Sequence, residues 1–341
     1  MPEPVPALPP PCPSTAAPPA VLVVSRVVLD VFPGSPAETV VLGGSGFWAA
    51  VGVAATLDEE STAVMPGRPG RPAGVSIASR VGTDFGPYRP ILHRLGIRTD
   101  ALVTDGPQTS RTIITYPVGE ERREEPVGGW PAHVRMRAVW TDVPEPVRAA
   151  PGCYVFRDWH PGFWEPLLED VRRHRTQLLW ELPASICTPA DLPRLRAVLP
   201  SVAIVSLNLA EARALLGVGP DAGPAGELSA AEAARRIADL GARTVLLRAG
   251  RAGSVVAHEG RLLRVSAARV PAIDVTGAGN AFSGAFLGCR IAGADVASAA
   301  TFASAVAAMV VSRLGPPDSH AAARAQALEL VRTARVWDLG S

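Results

Sequence analysis

Short β-branched runs alternate with helical patterns along most of this chain, and that alternation limits the fold more than any other feature. Strands are predicted in AVLVVSRVVLDVF (20–32), GVSIASRVG (74–82), GCYVFRDW (152–159), QLLWELP (177–183), SVAIVSLN (201–208) and TVLLRAG (244–250). Between them, SGFWAAVGVAATL (45–57), GPYRPILHRLGI (86–97), GFWEPLLEDVRRHRT (162–176), LAEARALLG (209–217) and SAAEAARRIADLG (229–241) read as helices. Strands separated by helices make a mostly parallel sheet with helices packed on it, the α/β class. SVVAHEGRLLRVSA (254–267) predicts a hairpin turning at Glu259-Gly260, and two long helices follow. Residues 98–127 break the rhythm: they carry alternating β-type segments and a charged turn but no helix, which predicts a small β insertion.

Composition narrows the function classes. Apolar residues make up 48% of the 341 and charged residues 19%, as in a compact globular chain. The 33 basic residues nearly balance the 32 acidic ones, for a net charge of +1, so neither nucleic acid nor a membrane is expected as a partner. Every one of those basic residues is Arg, which excludes a Walker-type Gly-Lys-Ser/Thr, a Schiff-base lysine and a lysine nucleophile. Cys12, Cys153, Cys187 and Cys289 are widely spaced, with no paired metal-ligand spacing, and read as reduced thiols of a cytoplasmic protein. The first 20 residues are Pro-rich and lack a signal-peptide pattern, so a disordered tail is expected before a single domain over 21–335.

The chemistry centres on IDVTGAGNAFSGAFLG, residues 273–288. Gly277, Ala278 and Gly279 form a small-residue turn entering a helix, where free N–H groups and the helix dipole can hold an anion. The following position, where a carboxylate would take a proton from an attacking hydroxyl, is Asn280. An amide can orient a hydroxyl but cannot take its proton.

DVTGAGNAFSGAF resembles the closing motif of the ribokinase or PfkB-type carbohydrate kinase family, D-T-x-G-A-G-D-x-F-x-G-x-F, with its Thr one place on at Thr276, with Asp274, Gly277, Ala278, Gly279, Phe282, Gly284 and Phe286 matching, and with Asn280 departing. VLGGSGFWAAVG resembles the early Gly-Gly motif through Gly43 and Gly44. RVGTDFG is similar to the V-G-x-D-x-x-G segment with one residue fewer. NLAEARALLG resembles the N-x-x-E motif, VLLRAGRAGSVV the nucleotide-side strand and glycine turn, and FASAVAAMVVSRLG the adenine-flanking helix. The resemblance, over about 21–318, implies a three-layer α/β/α sandwich with a β lid near 98–127. It also implies ATP- and Mg²⁺-dependent transfer of a phosphoryl group to a hydroxyl of a small sugar, nucleoside or related metabolite.

On that resemblance, Gly277, Ala278 and Gly279 form the anion hole and Asn280 stands at the reacting centre. Asp30, Gly43, Gly44 and Trp48 would meet the acceptor; Phe47 and Trp48 stand where the family has a sugar-contacting Asn. Asn208, Arg248, Gly250, Gly253, Asp274, Thr276 and Gly315 fall on the nucleotide side, and Glu211 would organise Mg²⁺. Asn208 and Glu211 equally suit a capping box, and Arg248 a solvated strand-end charge. Glu181, Asp158 and His160 follow other strands and are further candidates. A pseudokinase binding nucleotide or metabolite, or a biosynthetic enzyme of altered chemistry, remains open beside the kinase, as does a homodimer pairing through the lid.

Overall fold

The computed structural model describes residues 18–34, 39–57, 74–116, 123–219 and 228–340. Residues 1–17 of the expected Pro-rich tail lie outside them. Fifteen strands form two sheets among the described residues. In chain order they are β1 (Val21–Val24), β2 (Val28–Phe32), β3 (Thr39–Gly43), β4 (Val75–Val81), β5 (Ile97–Arg98), β6 (Leu102–Thr104), β7 (Arg111–Thr115) and β8 (Arg123–Pro126). They continue with β9 (Gly152–Phe156), β10 (Gln177–Glu181), β11 (Ile204–Asn208), β12 (Thr244–Arg248), β13 (Ser254–His258), β14 (Arg261–Val265) and β15 (Val336–Gly340). The large sheet runs β15-β14-β13-β12-β11-β10-β9-β1-β4-β5, with β6 also on β4. It is parallel from β12 through β5 and antiparallel across the β12–β15 edge.

Burial follows the two-residue period of a strand. In central β1, Val21 and Val23 face one core while Leu22 and Val24 face another, and all four are buried. The first core also takes the helices Ser45–Ala54, Ala278–Ile291 and Val296–Val311; the second takes Pro161–His174, Leu209–Leu215 and Ala230–Ala238. Helices on both faces of a mostly parallel sheet give the expected three-layer sandwich. The hairpin at Glu259-Gly260 is present, both residues taking positive φ.

The small sheet, β3-β2-β7-β8, is the lid. Its strands come from two places, so it reaches beyond the 98–127 insertion and recruits residues 28–32 and 39–43. The run expected as one strand over 20–32 is split: β1 enters the large sheet, the chain turns at Ser25-Arg26, and β2 joins the lid. The Val27 amide donates to Ser79 Oγ at 3.0 Å, a contact far away in sequence that holds the turn. Asp30 therefore sits in the middle of a lid strand and does not close the first strand of the main sheet.

The Ser45–Ala54 and Ala278–Ile291 helices touch backbone to backbone. A Cβ at Gly52 would lie 2.1 Å from Ala281 O, and one at Gly284 would lie 2.1 Å from Ala49 O. Only glycine permits that approach, and it sets Trp48 of the first helix against the turn opening the second.

Candidate active site

Parallel strands place their C-terminal ends along one edge, where open α/β sheets bind ligands. Along this edge stand Arg248 ending β12, Asn208 ending β11, Glu181 ending β10 and Phe156 ending β9, with Asn208 opposite Arg248 and Glu181 opposite Phe156. The Gly277 turn meets this row. Gly277 has φ 78° and precedes the Ala278–Ile291 helix, so its left-handed conformation suits glycine.

Arg248 reaches across the turn. A Cβ at Gly279 would lie 1.7 Å from Arg248 Nη1, so the guanidinium covers that residue's open side. Its Nη2 is 2.8 Å from Glu181 Oε1 and 4.0 Å from Glu211 Oε2, bridging two carboxylates. Glu181 is buried. Burial pushes its carboxyl up from the ordinary carboxylate value, against the opposing pull of Arg248. Burial likewise raises Glu211.

Asn280 joins the same cluster. Its Nδ2 donates to the Tyr154 hydroxyl at 3.0 Å and lies 3.3 Å from Glu181 Oε1, while Tyr154 donates to Glu181 Oε2 at 3.0 Å. With both amide hydrogens directed there, Oδ1 is the remaining polar atom of Asn280. Behind the turn, Ser283 Oγ donates to Gly279 O at 3.1 Å and shares a 2.8 Å bond with Ser206 Oγ.

Asn208 and Glu211 form the capping box. Asn208 N donates to Glu211 Oε2 at 2.7 Å and Glu211 N to Asn208 Oδ1 at 2.8 Å. Asp274 holds the approach to the turn: its Oδ1 accepts from Thr276 N at 2.9 Å and Thr276 Oγ1 at 2.6 Å. The Tyr116 hydroxyl, just beyond lid strand β7, also donates to Asp274, tying lid to turn. Ala278 is the first residue of the helix.

In the lid, the Asp30 carboxylate covers Gly43, where a Cβ would lie 1.9 Å from Oδ2. Gly44 precedes the Ser45–Ala54 helix. Trp48 is 3% exposed, and its ring rests on Gly277, where a Cβ would be 2.0 Å from Cδ1. Trp48 Nε1 is buried without a hydrogen-bond partner among the described residues. Phe47 is a core residue, edge-on to Trp48 at 5.2 Å between centroids.

The other expected residues lie further out. Gly250 and Gly253 turn β12 into β13, and Gly315 packs against Val41 of the lid. His160 precedes the Pro161–His174 helix and is exposed, while Asp158 pairs with Arg137 at 2.5 Å. Sequence reading missed Tyr154 altogether; the sole polar side chain in buried GCYVF was the available signal.

A three-layer α/β/α sandwich with a β lid, and a glycine turn entering a helix at the strand ends, define a ribokinase-like fold. Residues 68–322 match the pfkB family of carbohydrate kinases, and the chain belongs to that family of small-molecule kinases. A ribokinase of Haemophilus influenzae is 34% identical over 116 residues, a match spanning 34% of this chain and 37% of that relative. The structure of an Arabidopsis thaliana ribokinase complexed with ribose and ATP superimposes with a TM-score of 0.68 at 20% identity, covering 93% of this chain and 99% of that one. A Burkholderia thailandensis nucleoside kinase in complex with inosine gives 0.66 at 18% identity, covering 92% and 96%. Among the described residues no helix is long and apolar enough to cross a membrane.

Proposed function

We propose that this protein transfers the γ-phosphoryl group of ATP to a hydroxyl of a small metabolite in the cytoplasm. One observation carries the reading: the Arg248 guanidinium and the N-terminus of the Ala278–Ile291 helix converge on Gly279. Two positive groups meeting at a site no larger side chain can share suit a phosphoryl group, whose charge spreads over its oxygens during transfer. The Arabidopsis ribokinase's complex with ATP supports the same reading.

The residues present fit a nucleotide at this turn. Magnesium needs only one or two protein carboxylates when phosphates supply its other ligands. Among the described residues no group of three or more His, Cys, Asp or Glu could hold a metal alone, so Glu211 would hold the ion chiefly through its waters. Magnesium there would neutralise phosphate charge. Asn280 Oδ1 would accept a hydrogen bond from the acceptor's hydroxyl and aim its oxygen at phosphorus, while Trp48 and Asp30 bound the acceptor's side. As the new O–P bond forms and the bond to ADP breaks, the hydroxyl proton leaves with phosphate oxygen or water. Loss of a positioned base slows such a reaction by roughly 10²–10⁴-fold without preventing it. Cys153, Cys187 and Cys289 are free thiols, which supports a reducing compartment.

Calorimetric titration with ATP and Mg²⁺ tests the reading. Binding that weakens at least tenfold in Arg248→Ala is expected, and no heat at millimolar nucleotide would overturn it.

A further inference from the structure

At the end of the strand row remote from Arg248, three guanidiniums line one open cleft. Arg26 follows β1, Arg157 follows β9, and Arg137 follows the Gly129–Arg135 helix; with Ser25 and Phe156 they line a small cleft open to solvent. Arg26 Nη1 and Arg157 Nε are shut from solvent without hydrogen-bond partners among the described residues. Buried unpaired donors are costly, and those of a charged group especially so.

Among the described residues the nearby charges do not balance. Arg137 pairs with Asp158, and Glu124 of lid strand β8 also acts on Arg26. Arg157 donates to the Ala138 carbonyl and lies 4.4 Å over the Phe163 ring. Asp142, which acts on Arg157, is held by Arg80 at 2.7 Å and 3.1 Å. Among the described residues, three cations thus share two acids, Asp158 and Glu124. Burial, then repulsion from Arg137, lowers the Arg26 guanidinium to about 10.

The cleft adjoins the acceptor side. The Arg26 carbonyl accepts from Gly46 N at 2.8 Å, and Ser25 Oγ shares a 2.8 Å bond with Ser45 Oγ, both at the head of the helix carrying Trp48. We propose that Arg26, Arg137 and Arg157 bind an anionic group of the phosphoryl acceptor, a phosphate ester or carboxylate. The acceptor is then a hydroxylated acid or sugar phosphate, not a neutral sugar or nucleoside. The word acceptor rests on the phosphotransferase reading; the anion site does not. Guanidiniums meet such oxygens through paired, charge-assisted bonds.

Inorganic phosphate and malonate, titrated by calorimetry into the whole chain, test the site without a known acceptor. Both should bind, weakening about tenfold or more in Arg26→Gln and in Arg137→Gln. Arg26→Lys, which keeps the charge but loses the paired donors, should bind more tightly than Arg26→Gln and more weakly than the unchanged protein. The tighter probe shows whether the site is built for phosphate or carboxylate. Absence of binding, or equal binding in all variants because the anion rests only on the Gly277 turn, would overturn the proposal. A parallel ATP titration separates the two claims. Arg26-dependent anion binding without ATP binding keeps the site and removes the kinase, and ATP binding with Arg26-independent anion binding does the reverse.

Discussion

The amide nitrogen of Asn280 stands 3.3 Å from a carboxylate oxygen of Glu181, a residue only 2% exposed. Glu181 also accepts from Tyr154 and pairs with Arg248, so the carboxylate is enclosed by donors. Asn280 supplies one of them. The residue that stands where the family's motif has Asp is thus matched to a buried acid beside it.

This contact changes what Asn280→Asp should do. The new carboxylate would face Glu181, and two such groups cannot both ionise cheaply. The folded-state pKa of the introduced carboxyl would rise above its unfolded value. Stability is then retained below the unfolded value and lost as pH climbs through the folded one. We expect a cost of about 2 kcal/mol at pH 8, shrinking towards pH 5, with no gain in phosphoryl-transfer rate. Combining it with Glu181→Gln should recover stability and raise the rate above that of Glu181→Gln alone. Thermal melts and transfer rates across that range check both; a faster single variant would show that Glu181 does not restrain position 280.

Glu211 has two duties that different substitutions separate. Glu211→Gln keeps an oxygen for the Asn208 amide, so the capping box and melting temperature should persist while magnesium dependence weakens. Glu211→Ala should also lose about 1 kcal/mol of stability. Equal magnesium titration curves for all three proteins would leave Glu211 with the cap alone.

How legible this was in sequence depended on range. Glu181, Asn208 and Arg248 could be placed on one edge because each directly follows a buried apolar run in a parallel strand. The glycine turn at 277–279 was legible for a similar local reason: small residues directly precede a helix. What escaped were pairings between distant segments. Tyr154 meets Asn280 across 126 positions, and Arg26, Arg137 and Arg157 gather from three parts of the chain. The division of 20–32 between two sheets depends on Ser79, 52 residues from Val27. Periodicity shows which face a residue takes and not which distant partner waits there.

His133 reports on the arginine cleft. Burial, then the charges of Arg26 and Arg137, lowers its pKa from 6.5 to about 4. The unfolded chain therefore binds more protons than the folded one between those values, and stability should fall as pH drops from about 6.5 to about 4. His133→Gln should flatten that slope. An NMR titration of the His133 ring should find it neutral at pH 6, with its pKa moving up when phosphate occupies the cleft. A midpoint near 6.5 that ignores phosphate would separate His133 from the cluster.

Trp48 Nε1 is buried without a partner among the described residues, whereas the indole nitrogens of Trp140, Trp164 and Trp180 donate to Asp170, Asp158 and Arg157 respectively. Because the Trp48 ring lies on Gly277, its N–H stands at the proposed meeting of acceptor and phosphoryl group. In ¹⁵N spectra of the free protein its indole proton should lie upfield of those three and move downfield when ligand accepts from it. Trp48→Phe keeps an aromatic ring and removes the unmet donor, so stability should change by less than about 1 kcal/mol. Trp48→Ala should cost about 3–5 kcal/mol through the cavity it leaves. If the N–H is reserved for ligand, Trp48→Phe raises the acceptor KM about tenfold with kcat little changed. An unmoved indole resonance and an unchanged KM would reduce Trp48 to a packing residue and leave selection of the acceptor to Asp30 and the arginine cleft.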